Sequence, residues 1–460
     1  MHSLQTKLGC FFCLLFTIGI LQKGLSQKDT FFIPTKNDSL FFSAEYKQIE
    51  DRYKKNLDAI SGDYKKELKE IYKERFENIK SNFTQKRLFT NSQVENYLKQ
   101  LVNEIISNNA ELQALPINIF FAKTEVPNAE YIGENTIIFH TGLFHRLQNE
   151  SQVVFTLCHE LSHFYLNHLN SHIEKYITTI NSKEFQKELK SIKRAEYNQK
   201  AKLEKLALGL TFDSRKHSRY KESEADSMAI VLMSRTKFDN TEAVNLLGLL
   251  DTLDKEHFDA EKCLRNIFNS KEYPFKNSWV EKEEGLLGGH AKIKEDEKLA
   301  DSLKTHPDCK SRIDIVKKLL EKYKQNTAQK SFINPTLFNA LNEQLQLENI
   351  AYYMEKKSYS TAFYYCLRYL EKTPHNPFVI TTIGNLFNEF YDAQKKHRLG
   401  SVTSMPNPDN DASFNSVLQF IQNLNLDDFK PICYNFLKSR EAEYSKYPEF
   451  SKALNEAKKN

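Results

Sequence analysis

Few residues in this chain interrupt a helix. Glycine occurs 13 times and proline 12 times in 460 residues. That scarcity excludes collagen-like and Pro/Gly-rich low-complexity architectures. Beyond residue 26 only five cysteines remain, Cys158, Cys263, Cys309, Cys366 and Cys433, and none forms a CxxC pair. A disulfide-stapled fold and a cysteine-based metal site are therefore not indicated, although one bridge has the residues to form. No dense basic block exists either. The 65 Lys and Arg and the 60 Asp and Glu are interleaved and leave a net charge of +5. Nucleic-acid binding finds no support in that pattern. Long apolar runs are missing as well, except for residues 8–21. What is plentiful is Lys, Glu, Leu, Tyr and Phe, with 22 tyrosines and 33 phenylalanines. This mixture predicts a mostly helical protein whose aromatic residues fill helix–helix seams.

The one apolar run reads as a signal peptide. Lys7 supplies a positive flank, residues 8–21 the apolar core, and Gly24 and Ser26 the small residues before a cut at Gln27. The run is short for a membrane span of about 20 residues. Segment 1–26 is thus expected to be removed, leaving a mature chain without a transmembrane segment, periplasmic or secreted.

Apolar residues recur at three- and four-residue steps over 46–83, which predicts a long amphipathic helix broken near Gly62. A second helix is expected over 91–106, with Ser92 and Glu95 as a capping box. The period then changes. Segments 116–123 and 135–140 are short, β-branched and aromatic, and read as two strands around a turn at Val126–Ala129. A strong helix follows over 149–172, a solvated Lys- and Glu-rich one over 182–206, and another over 222–235. Residues 255–303 are polar, contain Gly288, Gly289 and the single Trp279, and read as a long excursion or lid. From Pro335 onward the chain is helical and Tyr-rich.

The chemistry concentrates in His159-Glu160-Leu161-Ser162-His163. Two histidines four apart on a helix project from one face and can share an ion. A glutamate beside that face can take a proton from a metal-activated water. Chance alone gives such a string in a chain of this size on the order of a few per cent of the time. Zinc needs a third protein ligand. A metzincin would carry Gly at position 166 and His at 169, where this chain has Leu166 and Leu169. A glutamate on a second helix is the alternative, and Glu222-Ser223-Glu224-Ala225-Asp226 supplies it. Glu222 is the preferred ligand and Glu224 the runner-up. Asp226, four residues beyond Glu222, is placed to accept the other ring N–H of a ligand histidine. His168 and His172, also four apart, read as solvent-exposed rather than as a second metal site.

His-Glu-Leu-Ser-His followed by Glu-Ser-Glu-Ala-Asp resembles the HtpX-like and CAAX-prenyl-endopeptidase metallopeptidases, whose pattern is HExxH followed by ExxAD. Pro127-Asn128-Ala129, the strand 136–139 with Gly142-Leu143, His168, and Thr305-His306-Pro307-Asp308 with Arg312-Ile313 extend the likeness over residues 116–320. The resemblance implies a compact helical domain with a small sheet, one Zn2+ per chain, and hydrolysis of peptide bonds with Glu160 as general base. It also implies His306 as an oxyanion donor or as a fourth zinc ligand that keeps the enzyme latent, with Arg312 holding its segment. An extended substrate is expected along the strand ending at His140, with Asn128 close by. Those relatives cross the membrane many times, and this chain does not. It looks closer to the soluble periplasmic BepA-like branch, in which the peptidase is joined to tetratricopeptide (TPR) repeats. Tyr353, Ala362 and Pro374, then Ile383-Gly384 and Phe387, stand at TPR spacing.

The expected architecture is mainly α with a small β-sheet, plus an all-α TPR-like C-terminal domain. Its parts are a signal peptide at 1–26, long amphipathic helices at 27–110, the HExxH zinc domain at 111–328 and the TPR-like domain at 329–460. Expected partners are polypeptide substrates of the cell envelope and, through the repeats, client proteins or envelope assembly machinery. A chaperone or adaptor with a latent or structural zinc site is the alternative. Glu160 weighs against it, because a structural site has no use for that residue.

Overall fold

The computed structural model of the protein describes residues 31–113, 116–195, 197–253, 258–281, 309–325, 328–407 and 410–459. The predicted signal peptide and the Thr305–Asp308 motif lie outside the described residues. The chain is mainly helical with one three-stranded sheet. Helices α1 (Ser43–Ala59), α2 (Lys65–Thr84) and α3 (Ser92–Ser107) precede strands β1 (Asn118–Ala122), β2 (Ala129–Gly133) and β3 (Thr136–His140). There follow α4 (Thr141–Phe144), α5 (Glu150–Tyr165), α6 (His168–Ile180), α7 (Lys183–Lys193), α8 (Gln199–Ser234), α9 (Glu242–Leu253), α10 (Ala260–Phe268) and α11 (Cys309–Lys322). The C-terminal helices are α12 (Pro335–Glu355), α13 (Tyr359–Lys372), α14 (Pro377–Lys395), α15 (Ala412–Asn423), α16 (Leu426–Lys438), α17 (Glu441–Tyr444) and α18 (Pro448–Ala457). None of the described helices is long and apolar enough to cross a membrane.

The predicted break in the first long helix falls between α1 and α2, where Gly62 adopts φ +94°, a conformation that glycine alone enters freely. Helix α3 is capped by Asn91 rather than by a Ser92–Glu95 box: its side chain accepts from the N–H groups of Gln93 (3.0 Å) and Val94 (3.2 Å). The sheet has order β1-β3-β2, with β1–β3 parallel and β2–β3 antiparallel. Strand β2 goes beyond the two strands expected from the sequence, which shows only the turn before it. Glu134 and Asn135, both at positive φ (49° and 54°), reverse the chain and bring β2 onto β3. Alternation then assigns the two faces of the sheet. Ile119, Phe121, Ile137 and Phe139 face the core of α3, α5, α8 and α9, while Phe120, Ala122 and Ile138 face the α1–α2 hairpin.

Two further departures matter. The helix expected over 149–172 stops at Tyr165, and Asn167 at φ 54° turns the chain before α6 begins. The described part of the presumed excursion, 258–281, packs into the C-terminal core. Phe268 meets Phe363, Phe387, Phe420 and Phe436, and Trp279 is buried against Phe275 and Phe420. Helix α12 straddles both cores: Phe338, Leu341 and Leu345 join the sheet-side core, Leu347 and Ile350 the C-terminal one. All five described cysteines are free thiols.

Two carboxylates tie the start of α5 to its surroundings. Buried Glu150 accepts from the N–H groups of Phe332 (2.8 Å), Ile333 (2.9 Å) and Asn334 (2.8 Å), and from Tyr97 Oη (3.0 Å). Glu242, on α9, accepts from Asn149 Nδ2 and Gln152 Nε2, both at 2.9 Å, and pairs with Lys330 Nζ at 2.7 Å. Burial raises the Glu242 pKa, but Lys330, Asn149, Gln152 and Asn245 together hold it below its ordinary value. A depressed pKa gives stability that is complete above the unfolded value of about 4.3 and is lost as pH falls through the folded one. Denaturant titrations across the acid range should therefore show Glu242→Gln less stable than wild type at neutral pH, with a shallower decline below about pH 4.3. Parallel declines in the two proteins would contradict this account.

Candidate metal centre

Helix α5 opens on Asn149, whose side chain accepts from Gln152 N at 3.1 Å. One α5 face carries His159 and His163, and it packs against the last third of α8. The two Nε2 atoms stand 3.0 Å apart. Glu222 reaches in from α8, with Oε2 3.4 Å from His159 Nε2 and Oε1 3.4 Å from His163 Nε2. One donor atom from each of the three residues lies within 4.8 Å of the others.

The surroundings are charged and largely buried. Asp226 is fully buried beneath the pair, its Oδ1 2.9 Å from His159 Nδ1, though not along the direction of a hydrogen bond. Arg312 of α11 grips the same carboxylate twice, Nε to Oδ2 at 2.6 Å and Nη2 to Oδ1 at 2.7 Å. Its Nη1 is buried without a hydrogen-bond partner, 3.6 Å from Glu222 Oε2. Burial lowers the His159 pKa, yet the carboxylates of Asp226 and Glu222 more than reverse this and push it up to about 10. Burial likewise opposes the ionisation of Glu222, but His159, His163 and Arg312 hold it well below the usual carboxylate range.

The donor set fits zinc. Two imidazoles and one carboxylate, convergent and with room for a water, are the ligands of a catalytic zinc site. Two imidazole nitrogens facing each other at 3.0 Å need a proton or a cation between them. The upward pull on His159 has the same meaning, since a proton there satisfies a demand that a cation would meet.

Glu160 sits beside this cluster, buried, with Oε2 accepting the Tyr131 N–H of β2 at 2.7 Å. Burial raises its pKa, and His159 and His163 offset this only in part. A small cleft opens next to it. Its walls are Asn128 and Ala129 on one side, Leu143 and Phe155 on another, and Leu247 and Leu250 of α9 opposite, with His159 and Arg312 at its inner end.

Residues 92–320 match the model of peptidase family M48. The chain belongs to that family. The match runs from the first residue of α3 into α11, so the α1–α2 hairpin and the C-terminal helices lie outside it. No curated protein matches the chain. Members of family M48 are zinc-dependent peptidases, which agrees with the donor set at His159, His163 and Glu222.

In this M48 peptidase the structure brings together His159, Glu160, His163, Glu222, Asp226 and Arg312, and lines the adjoining cleft with Asn128. His306 lies outside the described residues. The expectation for His140 needs correction. Strand β3 is the central strand, paired on both sides, so no substrate can add to it. His140 instead bonds Thr124 Oγ1 (2.7 Å) and Glu130 Oε1 (3.2 Å). The free edge beside Glu160 belongs to β2. The solvent-exposed reading of His168 also fails: it is buried, and its Nδ1 lies 2.9 Å from His163 Nδ1. Glu224, the runner-up ligand, stands behind His168, Oε2 to Nε2 at 3.4 Å, and outside the three-ligand cluster.

Arg312 and Asp226 are both almost wholly buried, so removing one partner strands the other. Arg312→Met should cost about 3–5 kcal/mol in the urea unfolding of metal-stripped protein. The double change Arg312→Met with Asp226→Leu should cost less than the sum of the two single changes, and strictly additive losses would show that the pair is not coupled.

Proposed function

We propose that the chain is a zinc-dependent metalloendopeptidase acting on unfolded or misassembled proteins outside the cytoplasm. The observation that carries the reading is the convergence of His159, His163 and Glu222 within 4.8 Å, with the Glu160 carboxylate alongside. His159, His163 and Glu222 hold the metal. When bound, zinc lowers the pKa of a water and polarises the scissile carbonyl. Glu160 takes the proton of the attacking water and passes it to the leaving amine. Tyr131 N–H occupies one oxygen of Glu160 and so aims the other toward the water. Asp226 orients His159, and Arg312 holds Asp226 in its charged form. An extended substrate lies along the free edge of β2, past Asn128 and Ala129.

The cleft next to Glu160 defines one preference. Its space of about 40 Å³ holds about three water-sized groups, and leucines, Phe155, Pro127 and Ala129 together make most of its wall. It suits a Val-, Leu-, Ile- or Met-sized side chain beside the scissile bond. The apolar N-terminal run supports a periplasmic or secreted location. The C-terminal helices serve as a TPR-like platform that recruits clients or envelope machinery. By resemblance His306 is the oxyanion donor or a latency ligand.

Full-length mature chain should bind one equivalent of zinc and cleave casein. Glu160→Gln should keep the zinc and lose about 10²–10⁴-fold in rate. Zinc without cleavage in wild type would instead favour the adaptor reading, and absence of zinc would sink the metal assignment. Higher activity in His306→Ala would mark a plug, lower activity a donor. Sequencing of the products should place medium-sized apolar residues beside the cut, and a preference for charged residues would refute the assignment of the cleft.

A further inference from the structure

His168 accounts for the one part of His163 that the metal centre leaves unexplained. Nε2 of His163 faces His159 and Glu222, while its Nδ1 lies 2.9 Å from Nδ1 of His168. Two ring nitrogens at that distance share one proton, so one donates and the other accepts. The far side of His168 decides which. Its Nε2 faces Glu224 Oε2 at 3.4 Å, and a carboxylate oxygen only accepts. The His168 proton therefore belongs on Nε2, leaving Nδ1 as an acceptor for the Nδ1–H of His163. A neutral imidazole has one proton, so His163 then offers a bare lone pair at Nε2, where a metal ligand needs it. The opposite arrangement points a proton of His163 into the cluster and sets a lone pair of His168 against a carboxylate.

The backbone is built to hold this position. On an unbroken helix His168, five residues after His163, would point away from it. The left-handed Asn167, φ 54°, ends α5 and returns the chain. Lys221 Nζ then holds the His168 carbonyl at 2.6 Å and Ser171 Oγ at 2.5 Å.

We infer that Glu224 and His168 form an orienting relay that fixes the tautomer of His163, which makes His168 and Glu224 positioning residues for zinc binding. The inference rests on the metal reading above.

Chelator competition on the folded, mature full-length chain tests it with zinc alone. His168→Phe, which cannot accept a hydrogen bond, should weaken zinc binding about 10–100-fold. His168→Asn places an amide oxygen near the lost Nδ1 and should recover most of that loss. Glu224→Gln, on the surface, should weaken binding severalfold and provides the test if His168→Phe does not fold. The ligand-field bands of the cobalt(II)-substituted chain should shift in His168→Phe and return in His168→Asn, which a merely structural role of His168 would not produce. Zinc held equally by wild type, His168→Phe and Glu224→Gln would overturn the relay alone. A wild-type chain that binds no zinc would overturn the metal centre and the relay together.

Discussion

Asp226 and Arg312 meet through two hydrogen bonds, 2.6 and 2.7 Å long, where neither side chain reaches solvent to any extent. Charges buried in this way are costly unless each is met by the other. Helix α8 supplies the carboxylate and α11 the guanidinium, so the pair is stable only when the two helices dock in one register. That register also sets Glu222, one turn before Asp226, against the two imidazoles of α5. The same carboxylate draws His159 toward α8 from behind. One ion pair thus fixes three helices around the cluster.

The cleft is held from the other side by α12. The three N–H groups of Phe332, Ile333 and Asn334 converge on Glu150 at the first turn of α5. Farther along α12, Asn349 Nδ2 reaches Glu125 Oε1 at 2.5 Å, and Thr141 Oγ1 donates to Asn349 Oδ1 at 2.8 Å. Glu125 stands three residues before Asn128, at the root of the loop that lines the cleft. Gly142 lets that loop lie close: a Cβ there would come within 2.4 Å of the Glu125 backbone. Although α12 lies outside the family match, it packs into the sheet-side core and braces both the helix of the ligands and the lip above it.

Much of the site was legible because its spacing is local. His159, Glu160 and His163 follow from one turn of helix, and Glu222 with Asp226 from one turn of another. The mainly helical character and the small sheet followed from period and composition. What escaped reading depends on chain reversals that leave little local trace. Strand β2 exists because Glu134 and Asn135 take positive φ, and its two apolar residues alone look like loop. His168 reaches His163 only because Asn167 is left-handed, and on a continuous helix it reads as surface. The polar stretch containing Trp279 looked like an excursion, because which core its scattered aromatic residues join is decided by tertiary partners far away in sequence.

Charge gives a further reason for a divalent ion. Glu160, Glu222 and Asp226 bring three carboxylates into a buried volume, and Arg312 returns one positive charge. With neutral imidazoles the cluster carries an excess of two negative charges, which a low-dielectric interior tolerates poorly. Without a cation the protein offsets part of the excess by protons: His159 is pushed up to about 10, and burial raises Glu160 as well. A divalent cation would bring the sum to zero and lower the proton affinity of both groups. The same event that fills the ligands would therefore favour the carboxylate form of Glu160, the form in which it can act as a base, so that loading and readiness for catalysis are coupled through the field of one buried cluster.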